Sequence, residues 1–447
     1  MTSLRMFSDA RKNYVLGVLT AVFMLNYIDR GLIILLLQPI KEDLKLSDTQ
    51  LGFLTGIAFG LFYATLGVPI ARWADHGNRV NLTALCIALW GAVVMSCLWV
   101  GNLAQLVLAR IGAAVGESGC MPPTYSLLGD FFPAPAERTR SMAVYWLGSP
   151  LAAMVSFIGG GWLNEHYGWR MTFFLMAMPG LLVAVLVKLT LREPRIGARW
   201  ARSENPNPTR ASEVLANLWH QSSLRHLTIG LTLLFTLALG LAPWYAAFLM
   251  RSHGMGTAEV GLWLGLICGI GGITGILLGG YVTARWFSGD ERGQMRLVAG
   301  VLATLIPCFA AFLLVPHKVG ALLALAPLQI AFNFFFGPAF ALLQRLVADN
   351  VRATTLAIVM LLSNLIGMGI GPQIVGILSD SLIPLFGTDS LRYAMLVISL
   401  VAVWAAYHFW RVGSTVQGDL AAVAYRSDPN PVHRFDDRTR YPSGGLS

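Results

Sequence analysis

The sequence predicts an all-α membrane protein, with twelve transmembrane helices in two six-helix bundles related by pseudo-symmetry. Three observations carry this. Hydrophobic residues make up 55% of the 447 positions and charged residues only 12%, about half the charged share of a soluble domain. The apolar residues fall in runs long enough to cross a hydrocarbon core of about 30 Å. The first six runs and the last six echo each other at nearly fixed offsets. Unbroken runs exclude a β-barrel, whose strands alternate. The composition excludes a soluble globular enzyme, a disordered chain and a disulfide-stapled secreted domain.

In chain order, a head at 1–13 carries Arg5, Arg11 and Lys12. The run behind it outlasts a signal-peptide core and holds no small-residue cleavage site, so it reads as a first span. The first bundle, 14–190, comprises spans at 14–38, 51–71, 80–100, 103–129, 141–163 and 171–190. A polar loop rich in Arg and Pro, 191–226, divides the chain, with 212–225 expected as a short amphipathic helix on the membrane surface. The second bundle, 227–411, comprises 227–250, 259–283, 295–315, 319–345, 352–379 and 391–411. The tail, 412–447, has almost no apolar run after Tyr425 and is expected to be disordered. With the N-terminus inside, 24 Lys and Arg fall on the inner side and 6 in the outer loops. That bias puts head, loop and tail in the cytoplasm. The formal net charge of +9 is therefore mostly a topology signal, and no soluble basic module offers itself to nucleic acid. Cys86, Cys97, Cys120, Cys268 and Cys308 all lie in apolar runs, without a CxxC or Cys/His pattern. They read as packing residues, so neither a metal site nor a cofactor is expected.

The repeat is read from ordered pairs. Gly161-Trp162-Leu163-Asn164-Glu165 ends the fifth span and Gly376-Ile377-Leu378-Ser379-Asp380 ends the eleventh, an offset of 215 that Leu127-Leu128 and Leu342-Leu343 share. Arg140 and Arg352 stand 212 apart, and Gly52 and Gly56 match Gly261 and Gly265 at 209. Two such halves, related by an axis along the membrane normal, form the architecture of alternating-access transporters, with the substrate site between them near the midplane.

Four charges lie deep in spans: Asp29 and Arg30 in the first, Arg110 and Glu117 in the fourth. Their charge sums to zero. An ionised group at bilayer depth is costly on an isolated helix, so these residues are expected to face a cavity and to pair. Arg110 and Glu117 are seven residues apart, on one helix face and roughly 10 Å apart along the axis. Arg110 is expected to exchange between Asp29 and Glu117, with Arg30 as a second anchor for a substrate headgroup. Burial favours a neutral carboxyl group and a nearby arginine favours the charged one. Switching the arginine partner would therefore load and release a proton at Asp29 and Glu117, while a freed arginine holds a phosphate or carboxylate.

Between the second and third spans, Ala71-Arg72-Trp73-Ala74-Asp75-His76-Gly77-Asn78-Arg79 reads as a gating loop that clamps helix ends, with Asp75, Asn78 and Arg79 as its working residues. This loop resembles a degenerate form of the G-x-L-a-D-r-x-G-r-r motif of the major facilitator superfamily. Ala71 and Asn78 replace its glycines, and Val80 stands at its second closing base. Within that superfamily the chain is most similar to the Spinster branch. The resemblance rests on Asn26-Tyr27-Ile28-Asp29-Arg30, on Arg110 and Gly116-Glu117-Ser118, on Leu128-Gly129-Asp130-Phe131-Phe132 and on Arg138-Thr139-Arg140. It implies the major facilitator fold over about residues 10–411, a lysophospholipid or sphingosine-phosphate type of substrate, and proton coupling at the acids matching Asp29 and Glu117. Organic-anion and sugar-acid symporters share similar N-Y-x-D-R and G-E elements and supply the alternative substrate class.

Polar and aromatic interruptions elsewhere nominate a substrate cavity: Tyr27, Tyr145, Trp146, Trp244, Tyr245, Asn333, Phe334, Phe336 and Asn364. The first half supplies charge and the second half apolar and aromatic surface, which suits an amphiphile. No HExxH or GxSxG occurs and the histidines sit near span ends, in loops or in the tail, so the chain is not expected to be an enzyme. The expectation is a proton-coupled secondary transporter, an exporter of an anionic amphiphile. It is expected to act as a monomer among membrane lipids, with protons as its second cargo, in a bacterial inner membrane.

Overall fold

The computed structural model describes residues 8–194, 216, 218–347 and 351–427. Residues 1–7, most of the interdomain loop including 212–215 and 217 of the expected surface helix, and the tail beyond 427 lie outside them; of that helix, 218–220 are helical and 222–225 already belong to the helix of the seventh span. Nine stretches of the described residues are long and apolar enough to cross a membrane. Two of these, Arg140–Thr190 and Thr354–Ala422, turn back on themselves, at Gly168 (φ 77°) and at the Gly387–Asp389 turn. Each therefore makes two crossings. With the helices Leu103–Ser118 and Met121–Phe131 forming the fourth span, the described residues make twelve crossings. Large apolar side chains such as Leu108, Leu182, Leu189 and Leu277 stand exposed around the outside, as a lipid-facing surface requires.

The first span is one helix, Asp9–Leu44, capped by Ser8 and ended by Lys45 in the left-handed region. The second is broken at Gly56 into Asp48–Thr55 and Ile57–His76. The third is Arg79–Met95 with the turn Ser96–Trp99. The fifth runs through Pro135–Trp146, Gly148–Met154 and a π-helical turn, Val155–Gly159, into Gly160–Thr190, which also holds the sixth. The seventh and eighth are Ser222–His253 and Thr257–Trp286. The ninth and tenth each come in two pieces, Glu291–Ala303 with Leu305–Leu314 and Lys318–Asn333 with Phe336–Arg345. The eleventh is Arg352–Phe386. The twelfth begins with Ser390–Ser399, and its helix Val401–Ser427 extends well past the apolar run. Burial of Val412 and Val416 and a hydrogen bond from the Ser223 N–H to Asp419 Oδ2 at 2.7 Å hold that extension against the seventh span.

The sequence repeat is a packing rule. The second span packs on the eleventh and the eighth on the fifth. A Cβ on Gly52 would lie 2.6 Å from Pro372 O, and one on Gly261 would lie 2.1 Å from Phe157 O. The glycines are 209 residues apart and the carbonyls 215. Side chains at these glycines would force the halves apart, so small residues set the approach of helix backbones in lipid.

The halves touch at one end. The start of the first span and the end of the last described helix lie at the other, the terminal end, since Tyr14 donates to Thr190 Oγ1 at 2.7 Å and the Ser223 N–H meets Asp419. At the opposite, distal end, Asp48 of the first half accepts Arg251 Nη1 and Nη2 of the second at 2.7 and 2.8 Å, and Ser379 Oγ at 2.6 Å. At the terminal end the ion pairs Lys12–Glu137 (2.9 Å), Arg79–Asp130 (2.6 Å) and Arg345–Glu291 each stay inside one half.

Candidate functional site

Asp29 and Arg30 are successive residues of one helix and so point about 100° apart. They reach different partners on the fourth span. Arg110 Nη1 donates to Asp29 Oδ2. Arg30 Nε donates to Glu117 Oε2 at 2.9 Å. Of the two partners expected for Arg110, this conformation shows Asp29, while Glu117 belongs to Arg30. Gly31 lets the first span press against the π-helical turn of the fifth: a Cβ there would fall 1.9 Å from Ser156 Oγ. Gly116, packed against Trp90 and Cys86, likewise brings the Glu117 turn of the fourth span against the third.

The two acids and two bases are not equivalent. Asp29 and Glu117 are each only 1% exposed, whereas the Arg30 side chain keeps 21%. Both arginines line a cavity of about 300 Å³ between the halves, and the acids stand behind them. Aromatic faces hold the guanidinium groups in place. Arg30 lies 4.8 Å from the ring centroids of Tyr27 and Tyr63 and 5.2 Å from Phe59, and Arg110 lies 4.7 Å from Phe59. Such contacts are attractive and stronger where water is scarce. Among the described residues, Glu117 Oε1 and Arg110 Nε are buried without a hydrogen-bond partner.

The second half closes the cavity with Leu239, Ala242, Pro243, Asn364 and Met368. Of the nine residues nominated for the cavity, Tyr27 and Asn364 line it. The other seven do not line it. The Tyr145 hydroxyl bonds Thr124 Oγ1 at 2.8 Å and its ring stacks on Phe23 at 4.5 Å. Trp146 stands edge-on to Phe23 with 48% of its surface exposed. Trp244 and Tyr245 are buried in the second bundle, Tyr245 against Phe312 at 5.4 Å. Asn333 donates back to Gln329 O at 2.8 Å. Phe334 is buried, and Phe336 stacks on Phe335 at 4.5 Å. Phe59 and Tyr63, absent from the sequence reading, form the arginine cage. Their i, i+4 spacing on a charged-residue-free stretch gave only an ordinary apolar stripe.

Within the loop after the second span, Asn78 caps the third helix, its Oδ1 accepting the Asn81 N–H at 2.8 Å. Arg79 is fully buried, bonded to Ser126 Oγ at 2.8 Å, to Asp130 and to Glu193. Ser126 and Asp130 belong to its own half, and Glu193 to the start of the interdomain loop. The Asp75 side chain lies outside the described residues.

Two helical bundles that enclose a charged cavity between them define the architecture of a secondary transporter. The Major Facilitator Superfamily model matches residues 19–372. An MFS-type efflux pump of Mycolicibacterium smegmatis is 33% identical over 414 residues, 92% of this chain and 93% of that protein. The sphingosine-1-phosphate transporter SPNS2 of Danio rerio is 25% identical, over 88% of this chain and 82% of its own. The crystal structure of a bacterial homologue of the human lysosomal transporter Spinster, inward-facing and unoccupied, superimposes with a TM-score of 0.81 at 27% identity, covering 92% of this chain and 99% of that one. The chain belongs to the Major Facilitator Superfamily and, within it, is a transporter of the Spinster branch.

Proposed function

We propose that this protein moves an anionic amphiphile, of the lysophospholipid or sphingolipid-phosphate type, by proton-coupled alternating access across a bacterial inner membrane. Both termini face the cytoplasm, and the end where the halves meet faces outward. The observation that carries this reading is the division of labour in the cavity. Two arginines face it, each already neutralised by a buried acid, and an almost uncharged apolar wall from the other half completes it. An anionic headgroup competes with Asp29 and Glu117 for the guanidinium groups, and a chain lies along Leu239, Ala242 and Met368. A buried carboxylate that loses its arginine takes a proton, so headgroup and proton enter together. The similarity to the sphingosine-1-phosphate transporter of Danio rerio supports the phosphate-headed lipid class.

The volume favours a second reading. About 300 Å³ is at the small end of ligand pockets and takes a sugar acid or another small organic anion whole, but only the headgroup of a lipid. Counterflow in proteoliposomes separates the two. Vesicles preloaded with lysophospholipid are expected to accumulate labelled lysophospholipid and not labelled sugar acid. Accumulation of the sugar acid alone replaces the first reading with the second.

A further inference from the structure

The repeated Gly161–Glu165 and Gly376–Asp380 segments each end on an acid, and the site above uses neither. Both acids cross to the opposite half. Glu165 Oε2 accepts the backbone N–H of Ala258 at 2.8 Å, at the start of the Thr257–Trp286 helix. Asp380 Oδ1 and Oδ2 accept the N–H groups of Asp48 at 3.0 Å and Thr49 at 2.7 Å, at the start of Asp48–Thr55. Glu165 and Asp380 are 215 residues apart, and Ala258 and Thr49 are 209 apart, so the two contacts are one contact made twice. The first N–H groups of a helix lack intrahelical acceptors and carry the positive end of its dipole. A carboxylate from the other half supplies what they lack. When the halves part, both sides lose it and water must replace it.

We propose that Glu165 and Asp380 are a paired latch on the distal end: one carboxylate per half, each closing on a helix N-terminus of the other, both released when that end opens. The inference rests on the alternating-access reading. The latches differ in strength. Asp380 takes two N–H groups beside the Arg251–Asp48 pair and the Gln373 Nε2 to Thr49 O bond of 3.2 Å. Glu165 takes one, backed by Asn164 Nδ2 donating to Thr257 Oγ1 at 3.0 Å.

The test is the distance between spin labels at Tyr167→Cys and Leu385→Cys, both exposed at that end, in the full chain in nanodiscs with its five native cysteines replaced. Glu165→Gln and Asp380→Asn keep shape and remove charge. Each is expected to raise the ratio of long to short distances about two- to fivefold, Asp380→Asn more than Glu165→Gln, and the double variant about tenfold. If the double variant does not fold, either single variant carries the test. A wild type with both populations and a double variant with the same ratio overturn the latch and leave alternating access standing. One unchanging short distance in the wild type and in every variant overturns both.

Discussion

At the scale of single residues, the four charges of the first and fourth spans, Asp29, Arg30, Arg110 and Glu117, divide into two that face the cavity and two that do not. An acid reaches an anionic ligand only through its arginine, so removing an acid and removing an arginine have different consequences. Asp29→Asn and Glu117→Gln leave a guanidinium still caged by aromatic rings and still able to hold an anion. Both variants are expected to insert, fold and exchange substrate in counterflow, yet to lose accumulation driven by a pH gradient. Proton-driven accumulation at the wild-type rate in both would remove these acids from the coupling. Arg110→Ala takes away the headgroup contact and strands Asp29, buried at 1% exposure. Truncating one member of a buried pair costs about 3–5 kcal/mol, so a lower melting temperature is expected together with loss of counterflow. Phe59→Leu keeps volume near both arginines but removes the ring that both share. It should weaken anion binding by about 0.5–1 kcal/mol, about two- to fivefold in Kd by titration calorimetry.

Elements carry the positioning, and here the sequence was legible in some respects and silent in others. The twelve runs, the repeat and the intramembrane charges could be read because each is a violation or a periodicity: charge within lipid, paired glycines matching at 209, a pattern recurring at 215. Which arginine meets which acid could not. That depends on the rotation of the first helix against the fourth, which Gly31 and the π-helical turn set together. Aromatic residues were the poorest guide, because Tyr145, Tyr245 and Phe336 look alike in sequence whether they face a cavity or one another. The Gly31 contact makes the element-level claim testable. A methyl group there meets Ser156 Oγ at 1.9 Å, and overpacking of this kind costs about 1–3 kcal/mol. Gly31→Ala is expected to lower the melting temperature and to impair anion binding by displacing Asp29 and Arg30. Ser156→Gly in the same chain, which clears the space, should recover most of both. Loss of binding that the second substitution does not relieve would place the fault in the helix itself.

For the whole molecule, the proposed coupling ties two ligands together. With each arginine held by an acid, the described lining of the cavity offers no free cation. An anion gains one only by displacing a carboxylate, and that carboxylate, surrounded by apolar helix faces, then takes a proton. Linkage makes this reciprocal: whatever factor the anion applies to proton affinity, the proton applies to anion affinity. The sign follows. Under that coupling, binding is expected to take up protons and to tighten as pH falls, by up to about tenfold per pH unit for each proton taken up. A phosphate headgroup titrates in the same range, so the decisive probe is a long-chain alkyl sulfate below its micelle concentration, whose headgroup stays charged. Calorimetric titration in two buffers of different ionisation enthalpy counts the protons directly. One proton per anion is expected if a single pair opens and two if both do. Glu117→Gln and Asp29→Asn should each lower the count and flatten the pH dependence, because an amide released from its arginine has nothing to titrate. Binding without proton uptake, or binding that tightens as pH rises, would mean that the carboxylates stay on their arginines while the anion is held by other groups. The cavity would then be a binding site with no coupling to the proton.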